Sequence, residues 1–259
     1  MSAYQDIALT EEGGVATLIL NRPQSLNALR AETLEEIIDA LDHVRDGGSA
    51  RVFLLTGAGR AFSSGADLAA GGSGKDLGQK VERYYNPILE RLFALPIPLV
   101  SAVNGLAVGA ACSLALAGDI VLAARSSYFL QAFVNIGLVP DAGSSWLLPR
   151  VMGRARANAM MLLGERISAE RAEAWGMVYK VVDDDALAGE SLELARKLAR
   201  GPTQAYALIR HGIRYALDHS LSETLAMERR HQRLAGASSD FAEGVAAFRE
   251  KRPAAFTGR

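Results

Sequence analysis

The sequence of 259 residues has little cysteine, little net charge and no long apolar run. Its one cysteine, Cys112, excludes an intrachain disulfide and a cysteine-based zinc site, which fits a reducing compartment. The formal net charge of −1 provides no overall field that would recruit nucleic acid. No apolar run approaches membrane-spanning length, and the first residues lack the pattern of a secretory signal. We therefore expect a cytoplasmic protein without a nucleic-acid or membrane partner.

What the chain does contain is typical of a globular protein with a large core, since 49% of its residues are hydrophobic and 22% are charged. Strand and helix patterns alternate up to about residue 196, and only helical patterns follow. This order predicts an α/β core over residues 1–196 and a helical region over residues 197–259.

The expected elements follow from the spacing of apolar residues. Strands are predicted at 6–9, 15–20, 51–56, 99–103, 119–124, 128–133 and 177–182. Helices are predicted at 31–46, 80–95, 109–116, 154–164, 169–175, 186–200, 203–218, 221–234 and 241–252. The strand–helix–strand order near the start implies a parallel sheet with right-handed crossovers. The glycine-rich residues 69–78 are expected to form a flexible loop that could act as a lid.

The centre of the chain, residues 101–118, carries almost no large side chains. Its helix is expected to start near Ala110, where unpaired backbone N–H groups carry a partial positive charge. Small neighbours would let a substrate approach these groups closely, as an oxyanion site requires. The glycine-rich turn at residues 57–68 has the same character. The residues alone also allow a simple close crossing of helix and strand.

One conspicuous acid, Asp141, lies in the turn at residues 137–143. It could cap the helix that follows the turn, or it could act as a catalytic acid or base. Cys112 is expected to be a small buried apolar residue, although a helix start could also lower the pKa of its thiol.

Several motifs occur in an order that resembles the crotonase (enoyl-CoA hydratase/isomerase) superfamily. They are Asn21-Arg-Pro with Leu26-Asn-Ala-Leu29, Ala61-Phe-Ser-Ser-Gly-Ala-Asp-Leu68, Ala102-Val-Asn-Gly with Gly109 and Cys112, Gly118-Asp119, and Gly176-Met-Val. The resemblance implies an α/β fold built as a spiral of β-β-α units with a C-terminal helical trimerisation domain. It also implies a homotrimer or a dimer of trimers.

The resemblance further implies roles for particular residues. The backbone N–H groups of Ala66 and Ala110 would bind the thioester oxygen of an acyl-CoA substrate. The coenzyme A portion would be held by Arg22, Leu26, Ala28, Asp67 and Leu68, with Phe248 and Lys251 contributed by a neighbouring subunit. We expect no metal and no cofactor, because coenzyme A is part of the substrate.

The chain departs from the superfamily's hydratases at their two catalytic glutamates, which correspond here to Ser113 and Phe133. Two-carboxylate hydration is therefore not expected. Asp141 matches a catalytic aspartate of isomerases and dehalogenases in the superfamily. We predict an acyl-CoA isomerase in which Asp141 shifts a double bond or rearranges a ring epoxide, as in phenylacetate catabolism.

Other functions remain open at this stage. The chain could be an enoyl-CoA hydratase, a thioester hydrolase or dehalogenase of the same family, or a family member that binds CoA or RNA without catalysis. Ser113 at the start of an alanine-rich helix also suggests a serine peptidase, but none of the four histidines is placed to serve it.

Overall fold

The computed structural model describes residues 4–68 and 76–259. The strands are β1 Ile7–Glu12, β2 Val15–Leu20, β3 Val52–Gly57, β4 Ala61–Ser63, β5 Leu99–Val103, β6 Leu106–Val108, β7 Ile120–Ala124, β8 Tyr128–Leu130, β9 Ile167–Ser168 and β10 Lys180–Val182. The helices are α1 Ala31–Gly47, α2 Leu77–Lys80, α3 Asn86–Ala94, α4 Ala110–Leu116, α5 Ser144–Met152, α6 Arg154–Leu163, α7 Ala169–Ala174, α8 Leu187–Ala199, α9 Thr203–Ala216, α10 Leu221–Gly236 and α11 Ser239–Glu250. Residues 69–75 of the predicted lid lie outside the described residues.

The strands form two sheets. The larger has the order β1-β2-β3-β5-β7-β10 and is parallel except for the β1–β2 hairpin. The smaller has the order β4-β6-β8-β9, in which only β8 and β9 run antiparallel. Consecutive strands such as β3 and β4, or β5 and β6, therefore contribute one strand to each sheet.

Glycines make this alternation between the sheets possible. A Cβ atom on Gly57 would lie 2.5 Å from the carbonyl oxygen of Phe62, and one on Gly105 would overlap the carbonyl oxygen of Arg60. Only glycine lets the backbones pass this closely. The chain changes sheet at three strand pairs, β3–β4, β5–β6 and β7–β8, with a glycine at the first two. This winds it into a spiral of β-β-α units, which confirms the predicted fold class.

The larger sheet is buried on both faces because alternate residues of its strands point in opposite directions. Phe53 and Leu55 of β3 pack into the main core, which also contains buried residues of α1, α3 and α4. Val52 and Leu54 of the same strand pack on the other face with residues of α8. The continuous apolar runs in the sequence are explained by this double burial.

Helix α9 is joined to the core by its buried arginine, Arg210. Arg210 of α9 donates hydrogen bonds to the carbonyl oxygens of Leu95 and Ile97, the latter at 2.6 Å, and forms an ion pair with Asp119. These contacts satisfy carbonyl groups at the end of α3. The boundary predicted after residue 196 falls within α8, and the division into two domains stays a prediction.

Several short elements differ from the sequence prediction. The strand expected at 128–133 ends at Leu130, and Ala132–Ile136 is a 3-10 helix. The helix expected at 80–95 contains a π-helical segment, Val81–Tyr85, directly before α3. Strands β4, β6 and β9 were not predicted, because they are two or three residues long.

Candidate active site

The two small-residue turns meet at Gly65 and Ala110. Gly65 has φ +82°, and a Cβ atom on it would overlap the carbonyl oxygen of Val108 and lie 3.8 Å from the backbone nitrogen of Ala110. Ala110 is the first residue of α4, so its N–H has no acceptor within the helix. The peptide of Ala66 directly follows Gly65. The fold therefore brings the turn that contains Ala66 next to the start of α4 at Ala110. Their role as the two donors of an oxyanion site stays a prediction.

Gly109 fixes the direction of the Ala110 N–H group. Its backbone angles, φ +56° and ψ −126°, lie in a region open mainly to glycine. Its own N–H donates to the carbonyl oxygen of Leu130 at 2.8 Å, which ties the turn to β8. The ring of Phe133 lies next to this turn, because a Cβ atom on Gly109 would be 3.6 Å from Phe133 Cζ. The side of this turn that faces Phe133 is therefore apolar.

The predicted coenzyme A turn, residues 22–29, is hydrogen-bonded to the glycine-rich turn at residues 65–67. Leu29 donates to the carbonyl oxygen of Gly65 at 2.8 Å, and Asp67 donates to that of Leu29 at 3.0 Å. The Arg22 guanidinium lies 3.0 Å from the Asp67 carboxylate and donates to the carbonyl oxygen of Ala28 at 2.6 Å. The structure thus brings Arg22, Ala28 and Asp67 together.

Leu26 and Leu68 complete this part of the predicted site. Leu26 has φ +53°, and its carbonyl oxygen accepts a hydrogen bond from Ser64 at 2.9 Å. Leu68 is 69% exposed, which leaves its side chain accessible to a ligand.

The role of Asn27 was not predicted from the sequence, where the residue is only one member of the motif Leu26-Asn-Ala-Leu29. Its buried side-chain amide donates to the carbonyl oxygens of Ala58 at 2.9 Å and Ala61 at 2.8 Å. Its Oδ1 accepts a hydrogen bond from the backbone N–H of Arg22 at 2.9 Å. Asn27 itself has φ +55°, a conformation that asparagine tolerates better than most residues. It holds the coenzyme A turn against β4.

Asp141 lies in a tight turn before α5. The helix begins after Gly143, and no side chain caps it, so capping by Asp141 is wrong. Oδ1 of Asp141 is buried and has no hydrogen-bond partner among the described residues. Burial raises the pKa of the Asp141 carboxyl to about 6, while the Lys80 ammonium and the residue's own backbone N–H lower it. A carboxyl that titrates near pH 6 can accept and return a proton near neutrality.

A buried chain of hydroxyl groups holds this turn in place. Ser144 Oγ donates to the carbonyl oxygen of Asp141 at 2.7 Å and lies 2.7 Å from Ser113 Oγ. Because a carbonyl can only accept, the Ser144 proton is used there, and Ser113 must donate to Ser144. Gln131 Nε2 donates to the same Ser144 oxygen at 3.3 Å. α4 and the acid turn are therefore linked directly.

Neither Ser113 nor Cys112 is positioned to act as a nucleophile. Ser113 is fully buried and its hydroxyl is bonded to Ser144, so the serine peptidase hypothesis finds no support. Burial raises the pKa of the Cys112 thiol to about 12. The proposed lowering by the helix start is wrong at this position, because complete burial has the larger effect.

Phe248 and Lys251 lie at the end of the last helix. Phe248 is 86% exposed, and Lys251 adopts φ +54° where α11 ends. The hydrogen bonds and ion pairs described for Arg22, Ala28 and Asp67 involve neither of them. Their contribution to a neighbouring subunit's site stays a prediction.

The structure brings the two small-residue turns together and buries one acid, Asp141, whose Oδ1 has no partner among the described residues. The chain belongs to the enoyl-CoA hydratase/isomerase family, whose sequence profile matches residues 10–259. Across residues 4–68 and 76–259, no helix combines the length and apolarity needed to cross a membrane.

Named relatives lie within the same family. The chain is 50% identical over 253 residues to the 1,2-epoxyphenylacetyl-CoA isomerase of Escherichia coli K12, covering 96% of this chain and 97% of that protein. It is 44% identical to a "probable enoyl-CoA hydratase" of Rhodobacter capsulatus, covering 99% and 100%. The crystal structure of an enoyl-CoA hydratase from Bacillus anthracis superposes with a TM-score of 0.94 at 32% identity, covering 98% and 100%.

Proposed function

We propose that the protein is an acyl-CoA isomerase that uses Asp141 as its single acid–base group. The observation that carries the proposal is the buried, unpartnered Oδ1 of Asp141. Its turn is tied to α4 through the Ser113–Ser144 hydrogen bond, and α4 begins at the Ala110 donor. The base and one of the two proposed oxyanion donors are thus linked through α4.

The reaction needs no water and no second acid. Asp141 removes a proton from the carbon next to the thioester, and the electron pair of that C–H bond moves into the enolate. The N–H groups of Ala66 and Ala110 stabilise the enolate oxygen, and losing one such donor typically costs ~3–4 kcal/mol of barrier. Asp141 then returns the proton to a carbon further along the chain, so a double bond moves and atoms balance. A positioned base contributes ~10²–10⁴-fold.

The substrate we propose carries a ring epoxide or a Δ3 double bond. The E. coli relative named for 1,2-epoxyphenylacetyl-CoA supports the first. The hydratase name of the R. capsulatus relative favours hydration as the alternative. Hydration requires an activated water and an acid acting together, whereas this chain has Ser113 and Phe133 at the positions of the two glutamates. Isomerisation is therefore the better fit.

Coenzyme A is proposed to bind along the turn at residues 22–29, beside Asp67 and Leu68. The hydrogen bonds that join this turn to residues 65–67 support the proposal, and the Arg22 guanidinium holds the turn by pairing with Asp67 and Asp6. Coenzyme A enters as part of the substrate, and the proton transfer described above calls for no further cofactor.

We also propose a homotrimer, or a dimer of trimers, assembled through the C-terminal helices. Ile209 and Ile213 of α9 and Leu217, the residue directly after it, recur every four residues and are each more than half exposed. Leu221 and Leu225 of α10 add to this apolar surface. A stripe of this kind is typical of a helix face that packs against another chain.

Turnover of two substrates tests the proposal. The purified protein is given Δ3-hexenoyl-CoA and 1,2-epoxyphenylacetyl-CoA, and the products are followed by absorbance and mass. An isomeric product of unchanged mass is expected, with kcat reduced ~10²–10⁴-fold in Asp141→Asn. A main product heavier by one water, or an Asp141→Asn enzyme as fast as the parent, would return hydration to first place.

A further inference from the structure

Tyr85 is one of several buried polar side chains, Asp141 among them, that have an atom without a partner among the described residues. Its side chain is 2% exposed, and its Oη is as orphaned as Oδ1 of Asp141. An unpartnered buried hydroxyl destabilises the folded protein unless a ligand completes it. Tyr85 ends the π-helical segment that precedes α3, and such segments frequently occur at functional sites.

The helix face that carries Tyr85 packs against the turn that holds Asp141. Tyr85, Leu89 and Phe93 are spaced four residues apart and share one face of the helix. Leu89 Cγ lies 4.0 Å from the position of a Cβ atom on Gly143, and the rings of Phe93 and Trp146 are 5.6 Å apart between centroids. The face that carries Tyr85 therefore packs along the acid turn and the start of α5.

The Tyr85 hydroxyl is suited to donate a hydrogen bond. Burial and the nearby Asp141 carboxylate both raise its pKa, so it keeps its proton throughout the neutral range. The thioester oxygen already has two proposed donors in the N–H groups of Ala66 and Ala110. A hydrocarbon acyl chain would leave the Tyr85 hydroxyl unpaired, whereas an acyl group that carries an oxygen would accept from it.

We propose that Tyr85 donates a hydrogen bond to an oxygen of the acyl group other than the thioester oxygen, and so selects oxygen-bearing acyl groups such as ring epoxides. This inference rests on the proposed function, because it places the acyl group beside Asp141. Tyr85 is then a specificity-determining residue that contacts substrate. A site built to pair a polar atom discriminates strongly against a ligand that lacks one.

The test compares Tyr85→Phe with a matched control, Tyr84→Phe. Tyr84 is the adjacent tyrosine, but its hydroxyl donates to the Glu35 carboxylate at 3.2 Å near the surface. We expect Tyr85→Phe to lower kcat/KM for 1,2-epoxyphenylacetyl-CoA about ten- to one-hundredfold and to leave kcat/KM for Δ3-hexenoyl-CoA within about twofold. Tyr84→Phe should change neither. Equal losses on both substrates, an altered pH profile with both, or no change would overturn the proposal.

A binding measurement separates this inference from the proposed function. Calorimetry compares 2-hydroxyphenylacetyl-CoA with phenylacetyl-CoA, which differ in one oxygen. The parent should bind the hydroxylated thioester about tenfold more tightly, and Tyr85→Phe should lose that preference. A parent that isomerises neither substrate would refute the proposed function, while the binding pair would still decide the role of Tyr85. A preference that survives in Tyr85→Phe, or is absent from the parent, refutes it.

Discussion

Replacing Asp141 by asparagine should make the protein more stable while removing its activity. The reason is the raised pKa of the carboxyl, about 6 against an ordinary 3.8. Each pKa unit corresponds to about 1.36 kcal/mol, so a fully shielded group would cost the folded state about 3 kcal/mol once ionised. Asp141 retains partial solvent access, which lowers the expected gain of Asp141→Asn to about 1–2 kcal/mol at pH 8.

The dependence on pH has a definite sign. A carboxyl whose folded-state pKa is raised disfavours folding when it is ionised, so the penalty is complete above about pH 6 and disappears as the pH falls toward 3.8. The stabilisation by Asp141→Asn should therefore be largest at pH 8 and about half as large at pH 5. The parent's activity should rise with pH through about 6, because the base must be ionised.

Urea unfolding at pH 8 and pH 5 measures both quantities. Asp185→Asn serves as the control, since Asp185 is exposed and loses one charge without entering the site. Burial does not destabilise the ionised carboxylate if Asp141→Asn is no more stable than the parent at pH 8, or if its gain in free energy of unfolding is the same at both pH values. A gain shared by Asp185→Asn would show that net charge, and not burial, is responsible.

Three further outcomes follow from the same geometry. Gly65→Ala should reduce kcat by about 10²–10³-fold, because it displaces one of the proposed oxyanion donors. Gly13→Ala is the control, since Gly13 also has a positive φ but has open space around it, and it should leave kcat unchanged. Steady-state kinetics measures both. Ser144→Ala should lower the free energy of unfolding by about 2–3 kcal/mol, because it leaves the buried donors of Ser113 and Gln131 unpaired. Ser113→Ala should lower it by only about 1 kcal/mol. Equal losses in urea titrations would contradict the hydrogen-bond arrangement around Ser144. Ile213→Lys should yield particles near 27.6 kDa in light scattering while the parent forms trimers, and a monomeric parent would reject the assembly.

The strands of the larger sheet were predictable because burial on both faces leaves a readable signal. β3 and β5 are runs of five or six residues that are almost entirely buried, and such runs have few alternatives to a central strand. Three of the four strands of the smaller sheet, β4, β6 and β9, carry no such signal. β4 and β6 have three residues each, and their pairing depends on residues far apart in the chain.

The candidate site divides in the same way. Gly65, Gly109 and Asp141 could be found because turn chemistry and family motifs are local in sequence. The Ser113–Ser144 bond joins residues 31 positions apart, and Asn27 reaches Ala61 across 34. Hydrogen bonds of this separation are set by the fold, so the sequence pattern could name the groups but not pair them.

The family resemblance places Ser113 and Phe133 at the positions of the two catalytic glutamates of the hydratases. Ser113 gives its proton to a structural hydrogen bond, and the Phe133 ring packs beside Gly109, directly before Ala110. Neither group can hold or activate a water molecule at the substrate. Oδ1 of Asp141 has no partner among the described residues, and burial raises the pKa of its carboxyl to about 6. Because Ser113 and Phe133 cannot activate water while Asp141 can accept and return a proton, we expect proton transfer between carbons rather than addition of water.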